Sequence, residues 1–215
     1  MTRVIAGKAG GRRLRVPPGQ GTRPTSDRAR EGLFASLVSE FGDLNGLRVV
    51  DLYAGSGAVG LEALSRGAAR VLLVESDTRA AAVIKSNIDA VGLPGAALAA
   101  ARVERLLGRP PDGDRYDLAF ADPPYAVTDE AVARVLTQLT SGWLAEGALV
   151  VVERATRSGP LDWPPGFCAG KSRRYGEATF WYGWYGSGME AEQAEDPRTA
   201  APGPSVDAPH GALEE

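Results

Sequence analysis

The 215-residue chain is predicted to be an α/β protein: a Rossmann-like, seven-stranded sheet with helices on both faces, preceded by a small basic hairpin or arm. Three observations predict it. The run Leu118–Ala121 is apolar throughout and ends in Asp122-Pro123-Pro124-Tyr125. Val49 to Leu64 reads as a strand, a glycine turn and a helix, and Arg70-Val-Leu-Leu-Val-Glu75 as a further apolar strand closed by an acid. Continuous apolar runs mark strands covered on both faces, and in open α/β sheets ligands sit beyond the carboxyl ends of the strands. Pro123 and Pro124 lack N–H groups, so the ladder must stop there and the chain stiffens.

The elements follow in order. Residues 1–24 form a basic segment in which Val4-Ile-Ala6 and Leu14-Arg-Val16 flank a glycine-rich turn, read as a small hairpin or extended arm projecting arginines. Thr22 to Asp27 resembles a capping run into a helix from Arg28 to Val38, with Leu33, Phe34, Leu37 and Val38 as its apolar stripe. After the strands ending at Asp51 and Glu75, a helix is expected over Ala80–Gly92, with Ala81, Val83, Ile84, Ile88 and Val91 inward. A small-residue strand Ala96–Ala101, a short helix Val103–Leu107, a helix Asp129–Trp143 and a strand Ala148–Glu153 complete the alternation. The last two strands, near Lys171–Tyr175 and Ala178–Tyr185, are separated only by Gly176 and Glu177, which predicts antiparallel pairing. Phe180, Trp181, Tyr182, Trp184 and Tyr185 read as strand packing rather than a base-stacking platform. The domain organisation is thus residues 1–24 as arm, 25–186 as the α/β domain, and 187–215 as an Ala-, Pro- and Glu-rich tail too poor in apolar residues to offset its ordering entropy.

Charge is distributed unevenly around the net value of −3. Residues 1–30 carry eight Lys or Arg against Asp27 alone, a balance of +7, whereas residues 187–215 carry seven acids against Arg198, a balance of −6. A solvated face is the plain reading of a charge run; beside glycines that admit a close backbone, the basic end suits a polyanion. Cys168 is the single cysteine, which excludes an internal disulfide and a cysteine zinc site. His210, the single histidine, falls in the tail, so neither a histidine general base nor a histidine metal site is expected. The apolar runs are too short to span a bilayer and the N-terminus shows no secretory h-region, so a cytoplasmic location is expected.

The glycine turn points to a nucleoside-bearing cofactor. Gly55 and Gly57 let a ligand approach the main chain in front of a helix N-terminus, and Glu75, 20 residues after Gly55, can accept hydrogen bonds from both ribose hydroxyls. Gly55, Gly57 and Gly60 also satisfy the dinucleotide fingerprint, a weak signal by itself. Asp51, four residues before Gly55, argues for a cationic ligand over a pyrophosphate, because its carboxylate repels phosphate and can hold an ammonium. The pattern D-x-x-x-G-x-G followed by a strand-ending acid resembles class I methyltransferases, whose donor is S-adenosylmethionine. The candidate donor-site residues are Asp51, Tyr53, Ala54, Gly55, Gly57, Glu75, Ser76, Arg102 and Val103.

A narrower resemblance rests on Ile5-Ala-Gly7, Gly11-Arg-Arg-Leu14, Thr22-Arg-Pro-Thr-Ser-Asp-Arg-Ala-Arg-Glu31 and Asp51 to Gly67, together with Asp122-Pro-Pro-Tyr125. These look like the RsmD family of bacterial enzymes, which methylate N2 of a guanine in small-subunit (16S) ribosomal RNA, and the likeness runs from about Val4 to Tyr185. The resemblance implies that Asp51, Gly55 and Gly57 bind the methionine end of the donor, Glu75 the ribose, and Asp122, Pro123, Pro124 and Tyr125 the target base. It implies a partner in ribosomal RNA, within the small subunit or its precursor; the basic charge run then assigns Lys8, Arg12, Arg13, Arg15, Arg23, Arg28 and Arg30 to the phosphates, and a monomer is expected. The chain departs from the pattern at Arg102-Val103-Glu104, where an Asp or Asn for the adenine amino group is missing; the Val103 backbone and apolar walls are expected to hold the adenine. Asp122-Pro-Pro-Tyr125 by itself suits adenine N6 or a protein glutamine as well as guanine N2. A non-catalytic RNA-binding module is disfavoured because Asp51, Glu75 and Asp122 are all intact.

Overall fold

The structure, a computed structural model, describes residues 2–18, 27–111, 113 and 115–186. The expected acidic tail, the segment Thr22–Ser26 and Arg23 therefore lie outside the described residues. A two-stranded ribbon, β1 (Thr2–Arg3) with β2 (Arg13–Leu14), opens the chain. The α/β alternation follows: α1 (Asp27–Phe41), β3 (Arg48–Leu52), α2 (Ala58–Ser65), β4 (Arg70–Glu75), α3 (Thr78–Val91), β5 (Ala96–Ala100), α4 (Val103–Leu107), β6 (Tyr116–Ala121), α5 (Asp129–Thr140), β7 (Leu144–Ala155), β8 (Phe167–Tyr175) and β9 (Ala178–Tyr185). The second sheet has seven strands in the order β5-β4-β3-β6-β7-β9-β8, with β9 antiparallel to both neighbours and the remaining pairs parallel.

Period-two alternation divides the core between the two faces. Val49, Val71, Leu73, Leu118 and Phe120 pack with α1, α2 and α3 on one side. Val50, Leu52, Val74, Ala119 and Ala121 pack with α4 and α5 on the other. Strands covered on both faces are apolar at both parities, which is why these runs do not alternate in hydropathy. Asp77 caps α3, its carboxylate accepting from the N–H groups of Arg79 and Ala80, and Gly92 ends the helix in the left-handed conformation.

Three expectations change. The basic segment is a hairpin that exposes Arg12, Arg13 and Arg15, but its body is docked rather than free-standing. Val4 and Leu14 are fully buried in the core, and the ribbon lies on α2 and α3. Val38 is exposed rather than inward, since α1 turns only Ala29, Arg30, Leu33, Phe34 and Leu37 to the core. Strands β7 and β8 begin earlier than expected, at Leu144 and Phe167, because β7 pairs with β6 from Leu144 and β8 pairs with β9 from Phe167.

Candidate active site

The connection from β3 runs outward through β4 to β5, and the chain then returns to place β6 on the other side of β3. That reversal opens a crevice at the carboxyl ends of β3 and β6, where open α/β sheets bind their ligands. Phe120 is in register with Asp51 and Ala121 with Leu52, so Asp122 emerges beside the end of β3. Its N–H donates to the Leu52 carbonyl at 3.4 Å, the last rung before the prolines.

Asp51 is 2% exposed and accepts a 2.9 Å hydrogen bond from the Gly60 N–H, in the first turn of α2. Gly60 has to be glycine: a Cβ there would lie 2.6 Å from Leu73 Cδ2 and 3.1 Å from Asp51 Oδ2. Close seating of α2 thus puts its N-terminus against the carboxylate. The turn between them contains Tyr53 at φ 60°, a left-handed conformation that strains a bulky residue, and Gly57 at φ 76°, where glycine is unstrained. Glu75 is the second anchor of the turn, accepting from Gly55 N–H at 2.9 Å and from Asp77 N–H at 2.8 Å. Its carboxylate holds the glycine turn and the start of α3 in one arrangement while retaining lone pairs for a ligand.

Four acids, Asp51, Glu75, Asp122 and Glu153, interact at this end of the sheet. Burial pushes the Asp51 carboxyl up to about 7; the Gly60 N–H opposes the rise and the charge of Glu75 adds to it. Desolvation raises the Asp122 carboxyl well above the usual carboxylate range, and the charges of Glu153 and Asp51 raise it further. Carboxyls held in a desolvated, acid-rich site favour a cationic ligand, which offsets the desolvation that chiefly lifts these groups and the mutual repulsion that adds to it. A donor carrying an ammonium and a sulfonium fits that acid set, and a pyrophosphate does not.

The loop after β6 is held from β7. Arg154 donates to the Val127 carbonyl at 3.2 Å and pairs with Asp129 at 2.5 Å, while Val127 N–H closes a turn onto the Pro124 carbonyl at 2.8 Å. Pro123 is buried, whereas Tyr125 is 64% exposed with the Arg157 guanidinium 6.0 Å from its ring centre. An exposed ring on a fixed loop is available for stacking.

The remaining sequence-predicted residues divide. Ala54 and Val103 are buried beside the crevice, Ser76 and Arg102 are exposed, and Tyr53 donates from its hydroxyl to Glu104 at 3.2 Å. Of the arginines assigned to phosphate, Arg12, Arg13, Arg15 and Arg28 are exposed, as is Lys8. Arg30 is corrected. It is fully buried, donates to the Arg3 carbonyl at 2.5 Å, pairs with Asp27 at 3.0 Å and faces Glu62 at 4.0 Å, so its guanidinium is held inside the protein.

Sequence reasoning missed the residues that join the hairpin to the donor turn. Glu62, fully buried, accepts from Ile5 N–H at 2.6 Å and Ala6 N–H at 3.0 Å. Asn87 donates to the Ser56 carbonyl at 2.8 Å and the Arg15 carbonyl at 3.0 Å, and accepts from Arg15 N–H at 2.8 Å. A signal existed for both, since each interrupts the apolar face of its helix. Glu153 was also legible, because it closes an apolar strand as Glu75 does.

A family model described as conserved hypothetical protein 95 matches residues 2–184. Ribosomal RNA small subunit methyltransferase D of Escherichia coli K12 is 36% identical over 167 residues, covering 75% of this chain and 80% of that protein. The chain belongs to the RsmD family. The Haemophilus influenzae member of the family is 31% identical over 182 residues, with 83% of this chain and 91% of the relative covered. A hypothetical protein of Thermus thermophilus superposes with a TM-score of 0.71 at 37% identity, covering 85% of this chain and 98% of the other. Family and fold together make the chain a class I methyltransferase that takes its methyl group from S-adenosylmethionine.

Proposed function

We propose that the enzyme methylates the exocyclic N2 amine of a guanine in small-subunit ribosomal RNA. The placement of Asp122 and the Pro123 carbonyl, both acceptors, on a stiff tip beside Asp51, with the exposed Tyr125 ring next to them, supports an exocyclic amine as the methyl acceptor, and membership of the RsmD family favours guanine N2 over adenine N6. Bound S-adenosylmethionine supplies an electrophilic methyl group on a sulfonium. Asp51 and the main chain of Ala54–Gly57 would hold its cationic methionine end, Glu75 its ribose hydroxyls, and the Val103 backbone its adenine. The amine of guanine is a poor nucleophile because its lone pair is delocalised into the ring. Asp122 carboxylate and the Pro123 carbonyl engage the amine hydrogens and align that lone pair, and holding the partners together contributes much of the acceleration. Asp122, with its raised pKa, is also placed to take the proton that the methylated amine sheds. Tyr125 stacks on the extruded base, worth roughly 1–3 kcal/mol by analogy with other stacking platforms.

Lys8, Arg12, Arg13, Arg15, Arg23 and Arg28 serve the phosphates in this reading, whose support is the exposure of the five that the structure describes. The names of the relatives favour ribosomal RNA over DNA, and the enzyme works as a monomer in the cytoplasm on the small subunit or its precursor. Among the described residues no helix is long and apolar enough to cross a membrane. The test is transfer of labelled methyl from S-adenosylmethionine to small-subunit RNA, to the assembled particle and to DNA, followed by digestion and mass spectrometry of the nucleosides. N2-methylguanosine from ribosomal RNA is expected; N6-methyladenosine would replace guanine with adenine as the target.

A further inference from the structure

A second basic surface lies away from the crevice. A cleft of about 570 Å³ runs along the face of the sheet that carries α4, and Arg48, Arg70, Arg105 and Arg109 line it. Arg48, Arg70 and Tyr116 are the first residues of β3, β4 and β6, so this cleft reaches the end of the sheet opposite Asp51, Glu75 and Asp122, none of which lines it. It exists because the β5–β6 connection carries only the five-residue α4 on this face, leaving Leu72 and Ala99 partly uncovered as an apolar floor. One wall is Tyr116, stacked on the buried Trp143 with ring centres 5.8 Å apart and planes 12° from parallel.

Among the described residues, Arg48 is the arginine of this cleft that pairs with a carboxylate. Asp117 holds Arg48 through its backbone N–H at 2.8 Å and its guanidinium at 3.1 Å. Arg70, Arg105 and Arg109 are exposed and have no carboxylate in ion-pair contact among the described residues. Arg70, Arg105 and Arg109 thus bring three positive charges to the lining of one cleft, on a chain whose net charge is −3. Their planar forks match phosphate oxygens, and the apolar floor and the phenol ring suit the sugar and base between phosphates.

We propose that this cleft is a second phosphate-binding surface, which takes a backbone segment of the substrate RNA distant from the methylated base. It rests on the RNA reading given above. The test titrates a small-subunit RNA fragment onto the full chain at several salt concentrations, comparing wild type with Arg70→Ala and with the double variant Arg105→Ala/Arg109→Ala, with S-adenosylmethionine affinity measured in parallel. Each variant should bind RNA more weakly and lower the slope of log affinity against log salt by about 0.7–0.9 per lost phosphate contact, with donor affinity unchanged. A wild-type chain that binds the RNA while the variants keep its affinity and slope overturns the cleft and leaves the RNA reading standing. Absence of salt-dependent RNA binding in the wild type overturns the RNA reading and the cleft with it. Saturable binding of adenosine monophosphate or pyrophosphate, lost in the variants without any change in RNA binding, would make the cleft a small-anion site and overturn the proposal.

Discussion

Asp51 and Gly60 meet at 2.9 Å, carboxylate to backbone N–H, and the contact welds the end of β3 to the first turn of α2. Because the carboxyl is buried and titrates near 7, the site is poised to bind protons and a cationic donor in competition.

Donor affinity should therefore rise with pH through about 7 and level off above it. The ionised carboxylate favours the cation, and protonation removes that attraction. The sign for stability is opposite: a carboxyl raised above its unfolded value of 3.8 favours the fold at low pH, a contribution lost as pH rises towards 7. Calorimetric titration between pH 5.5 and 8.5 checks the first statement. In Asp51→Asn, binding should be weak and the pH dependence flat; a preserved slope would remove Asp51 from the donor site.

Glu75→Ala should weaken S-adenosylmethionine by roughly one to two orders of magnitude, from the loss of hydrogen bonds to a charged group at about 1.5–3 kcal/mol. The structure adds a second effect, since the Gly55 and Asp77 N–H groups lose their acceptor. Thermal melts without donor should also fall. Unchanged affinity with a lowered melting temperature would leave Glu75 as a turn anchor only.

Asp122→Ala should abolish methyl transfer while donor affinity stays within a few fold, as measured by single-turnover transfer and calorimetry on the same preparation. Tyr125→Ala should reduce turnover less, because the exposed ring supplies stacking and no acceptor. Activity of the wild type should fall as pH is lowered through the raised pKa of Asp122, since the protonated carboxyl is a weaker acceptor and cannot take the proton that the methylated amine sheds.

The arm calls for substitution rather than truncation. Removing residues 1–20 would strip Val4 and Leu14 from the core, so a loss of RNA binding would be confounded by unfolding. Replacing Arg12, Arg13 and Arg15 with Ala leaves the core intact and should lower the salt slope of RNA binding by about 0.7–0.9 per lost contact. An unchanged slope would return these residues to a solvated face.

Arg30→Ala separates structure from recognition within the same basic segment. It removes one partner of a buried ion pair with Glu62, a change that costs on the order of 3 kcal/mol, and chemical denaturation should show it. Glu62 retains Arg66 at 2.7 Å, which moderates the loss. The RNA salt slope of the folded variant should match wild type, and a lowered slope would reinstate Arg30 as a phosphate contact.

The sheet, the strand-ending acids and the glycine turn were legible in the sequence because each is local. An apolar run, a proline pair and a D-x-x-x-G-x-G spacing specify backbone geometry within a few residues, and strands covered on both faces announce themselves in composition alone. Asp51, Glu75 and Asp122 could be named for that reason. What the sequence left open depended on contacts between distant segments. The buried fate of Arg30 turned on the hairpin's Arg3 carbonyl, 27 positions away, and on Glu62 as well as on Asp27, and the docking of the hairpin on Asn87 and Glu62, which a periodicity reading counts only as polar breaks in a helix. The crowding of Asp51, Asp122 and Glu153 is likewise a product of the β3-β6-β7 strand order. Charge density along a chain fixes how many guanidiniums are present; only the packing of the fold decides which of them are satisfied inside it and which remain turned to a ligand.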